Sequence, residues 1–363
     1  MLEVNRMSKA KTKNTLTPHE VSPFLRDLML AMGPSGFEDS AAACWRRHLE
    51  EQGIPTQADT YGNSIATINP NGSPSVMLLA HVDTVGLMVK HIDDSALICV
   101  AEIGGLDPLA LIGQHVLVMT NPSLHGVIGR RPTHLEDEDE DDHDKIPKLY
   151  ELRVDVGAMS KEELEKIVPI GTPIVFQPRL DCLANNRICA PGLDDRIGTW
   201  CVAEAIKRLA KSDKLKAKIY AVASVQEEIG LHGAHMASEQ LRPHLALGVD
   251  VTFAIDTPDL EKDRYGGIVL GKGAAIGIGG SSHPTIVRGL QHAATDARIT
   301  IQTEASPSSN GGYEADAIFR TCGGILSGLV MVPLRYMHTP VEVIQLDDAL
   351  AAIDLMVAWC EGL

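Results

Sequence analysis

The sequence predicts an α/β fold, a doubly wound and mostly parallel sheet interrupted by a small β-rich domain. Four short apolar runs, 75–80, 218–225, 251–255 and 325–332, have the length and continuity of strands buried on both faces of a parallel sheet. Helical patterns lie between and after them, at 197–210 and in the C-terminal segment, where Leu346, Leu350, Ile353, Val357 and Cys360 share one stripe. From about residue 87 to 178 the pattern changes to short β-like runs, 96–100, 115–120, 149–156 and 173–176, broken by Gly and Pro. Alternating strand and helix give the doubly wound architecture, and the β-rich stretch reads as an insertion. The expected organisation is a loose basic tail at 1–17, one domain formed by 18–86 with 179–363, and an inserted domain at 87–178. The first helix is expected to open at Thr17-Pro18 with Glu20 closing a capping box, and Leu25, Leu28, Met29 and Met32 on its apolar face.

The 363 residues are 44% hydrophobic and 22% charged, the balance of a globular chain rather than a disordered one. Lys and Arg number 32 against 48 Asp and Glu, and the net charge of −16 repels phosphate, so neither nucleic acid nor an anionic membrane is an expected partner. Eight of the acids fall in 136–144, a run expected to form a solvated surface loop. The seven cysteines are scattered without a CxxC pair, which points to reduced thiols, a cytoplasmic location and no thiolate zinc site. Apolar stretches are too short or too interrupted to span a bilayer, and the basic start lacks the apolar core of a secretory signal; Met7 offers an alternative start.

Chemistry-bearing residues gather at the ends of the expected strands. His81 and Asp83 follow the first run; two apart in extended chain, they face one side, although such a pair alone is common. Asp194 and Asp195 stand side by side before a helix, where mutual repulsion invites a cation and Asp195 can equally be an N-cap. Glu227 and Glu228 end the next run, charge close to a core unless a cation or a substrate proton uses it; one suits a metal ligand and the other a general base. Asp256 follows 251–255, and His338 follows the last strand. Ligand sites of open α/β sheets lie beyond the carboxyl ends of parallel strands, and imidazoles with carboxylates suit Zn²⁺, Co²⁺ or Mn²⁺. The Gly-rich stretch 271–277 lacks the dinucleotide spacing, so no nicotinamide cofactor is expected, and there is no GxSxG elbow. His232, His235 and His244 read as surface histidines.

From Pro34-Ser35-Gly36-Phe37-Glu38 onward the chain resembles the tetrahedral aminopeptidases, the glutamyl-aminopeptidase-like dinuclear metallopeptidases, some of which carry an endoglucanase label. The resemblance rests on Ala80-His81-Val82-Asp83, Gly104-Gly105-Leu106-Asp107-Pro108, Gly126-Val127-Ile128-Gly129, Leu193-Asp194-Asp195-Arg196, Val225-Gln226-Glu227-Glu228-Ile229-Gly230 and Arg335-Tyr336-Met337-His338-Thr339-Pro340. It implies a hydrolase that removes N-terminal residues from short peptides with two divalent ions per subunit and a bridging hydroxide. Asp194 would bridge the ions, His81 and Asp256 would complete one site, and Glu228 and His338 the other. Asp83 would orient His81, and Glu227 would be the general base. The inserted domain would be barrel-like and would assemble dimers into a dodecamer. Where the family commonly reads Gly-Thr-Asp-Ala, this chain has Gly312-Tyr313-Glu314-Ala315-Asp316-Ala317, which changes the pocket wall and with it the side-chain preference. A glycoside hydrolase would instead need paired carboxylates flanking a sugar and no metal, whereas here acids and histidines interleave.

Overall fold

The computed structural model describes residues 21–132, 146–258, 260–306 and 312–363. The acidic run, the basic tail and the Thr17-Pro18 helix start lie outside the described residues. The first described helix is Pro23–Leu30, where the Ser22 hydroxyl accepts the Leu25 amide at 3.1 Å and Pro23 occupies the first turn. This is the expected capping chemistry, found at Ser22-Pro23.

An eleven-stranded mixed sheet forms the main layer. Its centre is parallel, in the order Lys218–Ser224, Ser75–His81, Leu245–Phe253, Leu326–Arg335. Ser64–Ile68 and Thr56–Ala58 extend one edge antiparallel, and Glu342–Gln345, Arg187–Ala190 and Asp181–Leu183 extend the other. Ala274–Gly279 branches antiparallel from Leu326–Arg335 and pairs in parallel with Ile301–Ser306. Helices Leu193–Leu209 and Leu346–Glu361 cover one face, burying Ile197, Val202, Ile206, Ile353 and Met356 against Leu78, Ile219 and Val249. On the other face His232–Leu241 and Glu314–Ile318 pack Ala234, Ala237 and Ile318 over Met77, Leu79 and Val222. Burial on both faces explains why these strands read as continuous apolar runs.

One strand differs from expectation. The run placed at 251–255 begins at Leu245 and ends at Phe253. Gly248 and Asp250 break the apolar pattern that sequence reading relies on, yet both serve this strand. A Cβ on Gly248 would lie 3.1 Å from the Ala315 amide, so glycine lets the helix Glu314–Ile318 approach.

The β-rich stretch is a closed six-stranded barrel, running around it as Gly86–Ile92, Ile98–Ile103, Arg153–Asp155, Leu124–Gly129, His115–Val118 and Pro173–Phe176. Residues 149–151 form a 3₁₀ turn instead of strand. None of the seven cysteines, all of them among the described residues, is in a disulfide. Among the described residues no helix is long and apolar enough to cross a membrane.

Candidate metal centre

The parallel strands end at one cavity of about 490 Å³, lined by His81, Asp194, Glu227, Glu228, Asp250 and His338 with Gly105, Leu231, Val251, Phe253, Tyr313 and Met337. Among the described residues no Lys or Arg lines it.

His81 closes its strand and is 1% exposed. Its Nδ1 lies 3.1 Å from the Asp83 carbonyl oxygen, a bond that fixes the ring and leaves Nε2 for a ligand. Nε2 is 3.2 Å from Asp194 Oδ1 and 3.7 Å from Glu227 Oε2. The second oxygen of Asp194 is 3.4 Å from His338 Nε2, which also meets Glu228 Oε2 at 3.3 Å. Asp194 thus presents one oxygen to each imidazole. The Gly105 backbone hydrogen-bonds the His338 ring.

Asp83 does more than back His81. Its Oδ1 accepts the Glu227 amide at 3.1 Å, and its Oδ2 accepts the Glu228 amide at 3.2 Å and the Ser35 hydroxyl at 2.6 Å. A strand continued through the adjacent glutamates would face them opposite ways. The strand stops at Ser224, and Gln226, at φ 57°, turns the chain so that both carboxylates line the cavity. Asp195 accepts the Gly198 amide at 3.1 Å through Oδ1, as a helix cap does, and is fully buried.

Asp256 is the correction. It lies past the strand end in an ion pair with Arg335, with Oδ1 2.8 Å from Nε and Oδ2 2.7 Å from Nη2, and it does not line the cavity. The carboxylate that stands with His81 and Glu227 is Asp250, within the strand and 5% exposed. Ligand atoms of His81, Asp194 and Glu228 lie within 4.8 Å of one another, as do those of His81, Glu227 and Asp250. Sequence reading also missed Glu342, whose Oε2 accepts the Asp194 amide at 3.1 Å and whose Oε1 accepts the His338 amide at 2.9 Å. One buried carboxylate so ties together the two segments that carry Asp194 and His338. Glu314, fully buried, accepts the Ser224 hydroxyl.

Electrostatics follow from crowding acids where water is scarce. Burial raises Glu227 well above the usual carboxylate range; the His81 charge opposes this, and Asp250 and Asp83 reinforce it. Burial likewise lifts Glu228, with Asp194 adding to it, and takes Asp250 up to about 7. For Asp194, burial is outweighed by the hydrogen bonds from His338 and His81, which hold it below the ordinary value. For His81, burial pushes down, but Glu227, Asp194 and Asp83 together push it well above an ordinary histidine. Four carboxylates and two imidazoles therefore share a cavity that no Lys or Arg among the described residues lines, and Glu228 Oε1 is buried with no hydrogen-bond partner. Such a donor set fits divalent cations.

Fold and site together define a hydrolase of the metal-dependent aminopeptidase class. The model of the M42 glutamyl aminopeptidase family matches residues 62–355, and the chain belongs to that family. It is 37% identical over 319 residues to a lysyl aminopeptidase of Pyrococcus furiosus, covering 87% of this chain and 89% of that protein. The structure of a TET aminopeptidase from Thaumarchaeota archaeon SCGC AB-539-E09 superposes with a TM-score of 0.88 at 29% identity, covering 94% of this chain and 95% of that one. The Pyrococcus horikoshii TET1 peptidase, described as able to assemble into a tetrahedron or a large octahedral shell, superposes with a TM-score of 0.82 at 29% identity, covering 92% and 97%.

Proposed function

We propose that this aminopeptidase removes N-terminal residues from short peptides by means of two divalent ions held in the cavity, with Glu227 as general base. The observation that carries the reading is Asp194 offering one oxygen toward each of two histidines, which suits a carboxylate shared between two ions. His81 and Asp250 would complete one site, and Glu228 and His338 the other. Imidazole and carboxylate donors without thiolate suit Zn²⁺, Co²⁺ or Mn²⁺. Bound there, the ions would polarise the scissile carbonyl and lower the pKa of a water molecule.

The protein's own groups do the rest. Glu227 has an elevated proton affinity, the property a base needs to accept a proton from the attacking water and pass it to the leaving amine. Asp83 holds the Glu227 amide and backs the His81 ring, so it positions both base and ligand. Glu342 holds the backbone at Asp194 and His338.

The barrel is proposed to build a closed homo-oligomer, a dodecamer assembled from dimers. Its support is the assembly described for the Pyrococcus horikoshii relative and the exposed apolar side chains in this part of the chain, among them Val127, Tyr150, Met159, Ile167 and Ile170. Seven cysteines without a disulfide support a reducing, cytoplasmic setting.

Hydrolysis of aminoacyl chromogenic amides, measured after chelation and again after adding Zn²⁺, Co²⁺ or Mn²⁺, tests the reaction. Turnover should vanish and return, and N-acetylated peptides should remain intact. Turnover insensitive to chelation would sink the metal mechanism.

A further inference from the structure

No side chain of the stretch Pro34-Ser35-Gly36-Phe37-Glu38 lines the metal cavity, yet the stretch reaches the site from behind. The Ser35 hydroxyl donates to Asp83 Oδ2 at 2.6 Å. Glu38 is 6% exposed, and its Oε1 accepts the Gly36 amide at 2.6 Å and the Gln226 amide at 3.2 Å.

Gln226 decides where the next two side chains go. At φ 57° it occupies the left-handed region, which residues other than glycine use sparsely, and the turn it makes sends the Glu227 and Glu228 carboxylates into one cavity. A backbone conformation of this kind persists where its surroundings over-determine it. Here side chains supply the restraint. The four consecutive amides from Val225 to Glu228 donate to side-chain oxygens: Val225 to Asn63 Oδ1 at 3.0 Å, Gln226 to Glu38 Oε1, and Glu227 and Glu228 to the two oxygens of Asp83. Asp83 also stands 3.6 Å from the His81 ring, so a change there disturbs a candidate ligand directly. Glu38 grips the turn at its left-handed residue and belongs to neither group of potential metal ligands.

We propose, on the aminopeptidase reading, that Glu38 is a positioning residue: by accepting the Gln226 amide it fixes the turn that aims Glu227 at the attacking water. It acts through the backbone, without contact to substrate or ion. Without the acceptor the turn is free to swing, and a displacement of about 1 Å at a reacting group costs on the order of 10²-fold in rate.

The test is steady-state kinetics on the aminoacyl p-nitroanilide that wild type cleaves best, for metal-loaded Glu38→Gln, Glu38→Asp and Glu38→Ala, with metal content and melting temperature measured on the same samples. Glu38→Gln keeps an oxygen where Oε1 stands, so its kcat should stay close to wild type. Glu38→Ala removes the acceptor, and kcat per metal-loaded subunit should fall about 10- to 100-fold with KM and metal content unchanged, the scale for losing a partner that orients an active group. Glu38→Asp, its oxygen drawn back by one methylene, should fall between the two, and it carries the test if Glu38→Ala does not fold. A purely structural role would lower the melting temperature and leave kcat per metal-loaded subunit intact. That outcome, a loss carried by KM, a loss abolished by excess metal, or an equal loss in Glu38→Gln and Glu38→Ala would each overturn the assignment. If wild type cleaves no aminoacyl amide at all, the aminopeptidase reading fails and this proposal falls with it.

Discussion

Between residues 86 and 176 the barrel buries no polar side chain among the described residues; its core is Leu87, Val89, Ile98, Val116, Ile128, Val154 and Ile174. The α/β unit buries His81, Asp83, Asp194, Asp195, Glu227, Asp250, Glu314 and Glu342 around one cavity. The first region spends its interior on packing, each large apolar side chain contributing about 1.5–3 kcal/mol, and the second carries groups whose burial costs stability unless something answers their charge. Cavity size alone would mislead. A larger cavity, about 570 Å³, lies by Ser281, His283, Arg288 and Phe319, and among the described residues no cluster of potential ligands lines it. Concentrated buried charge of one sign is the mark of the site. The two regions meet at Gly104 and Gly105, which pack against Glu228 and His338, so the barrel also touches the candidate metal centre.

The largest expected effect lies in the charged region. Glu227→Gln keeps shape but removes the carboxylate proposed as base, so turnover should fall roughly 10²–10⁴-fold while both ions stay bound; a rate loss that tracks metal loss would make Glu227 a ligand instead. Next, Glu342→Gln weakens the hold on the Asp194 and His338 backbones. About a tenfold weaker metal affinity is expected by analogy with outer-shell partners, with activity recovered at excess metal; unchanged affinity in a metal titration would show that the clamp is dispensable.

A barrel substitution should behave in the opposite way. Ile98→Ala, at a fully buried position, should cost about 2–5 kcal/mol of stability by chemical denaturation while kcat per metal-loaded subunit stays near wild type. A selective loss of kcat would blur the division between the two regions. The smallest effect concerns pH. Burial, with Asp250 and Asp83 adding to it, raises Glu314 from 4.5 to about 8, against an opposing His81. The fold thus favours its neutral form, and its stabilising share is present below pH 4.5 and lost as pH rises through about 8. In the metal-free protein, Glu314→Gln should flatten the fall in melting temperature between pH 5 and 9. A curve parallel to wild type would mean that Glu314 does not titrate in this range.

Much of this was legible in the chain. The strands Ser75–His81 and Lys218–Ser224 are uninterrupted apolar runs because both faces are buried, and His81, Glu227, Glu228 and His338 stand where those strands and Leu326–Arg335 give out. Asp250 was hidden by its own role. A charged residue inside a strand breaks the apolar pattern, so the strand was expected six residues late and Asp256 took the assignment. Glu342 and Glu314 lie far from the other site residues in sequence and act through contacts to Asp194, His338 and Ser224 that only the folded chain creates.

That correction supplies the most direct test of the account. Metal content per chain should be measured by plasma mass spectrometry on wild type, Asp250→Asn and Asp256→Asn after identical loading with Zn²⁺ and gel filtration. Two ions in wild type, a full complement in Asp256→Asn and loss of at least one in Asp250→Asn is the predicted result. Full occupancy in Asp250→Asn with a deficit in Asp256→Asn would contradict it and return the ligand role to Asp256.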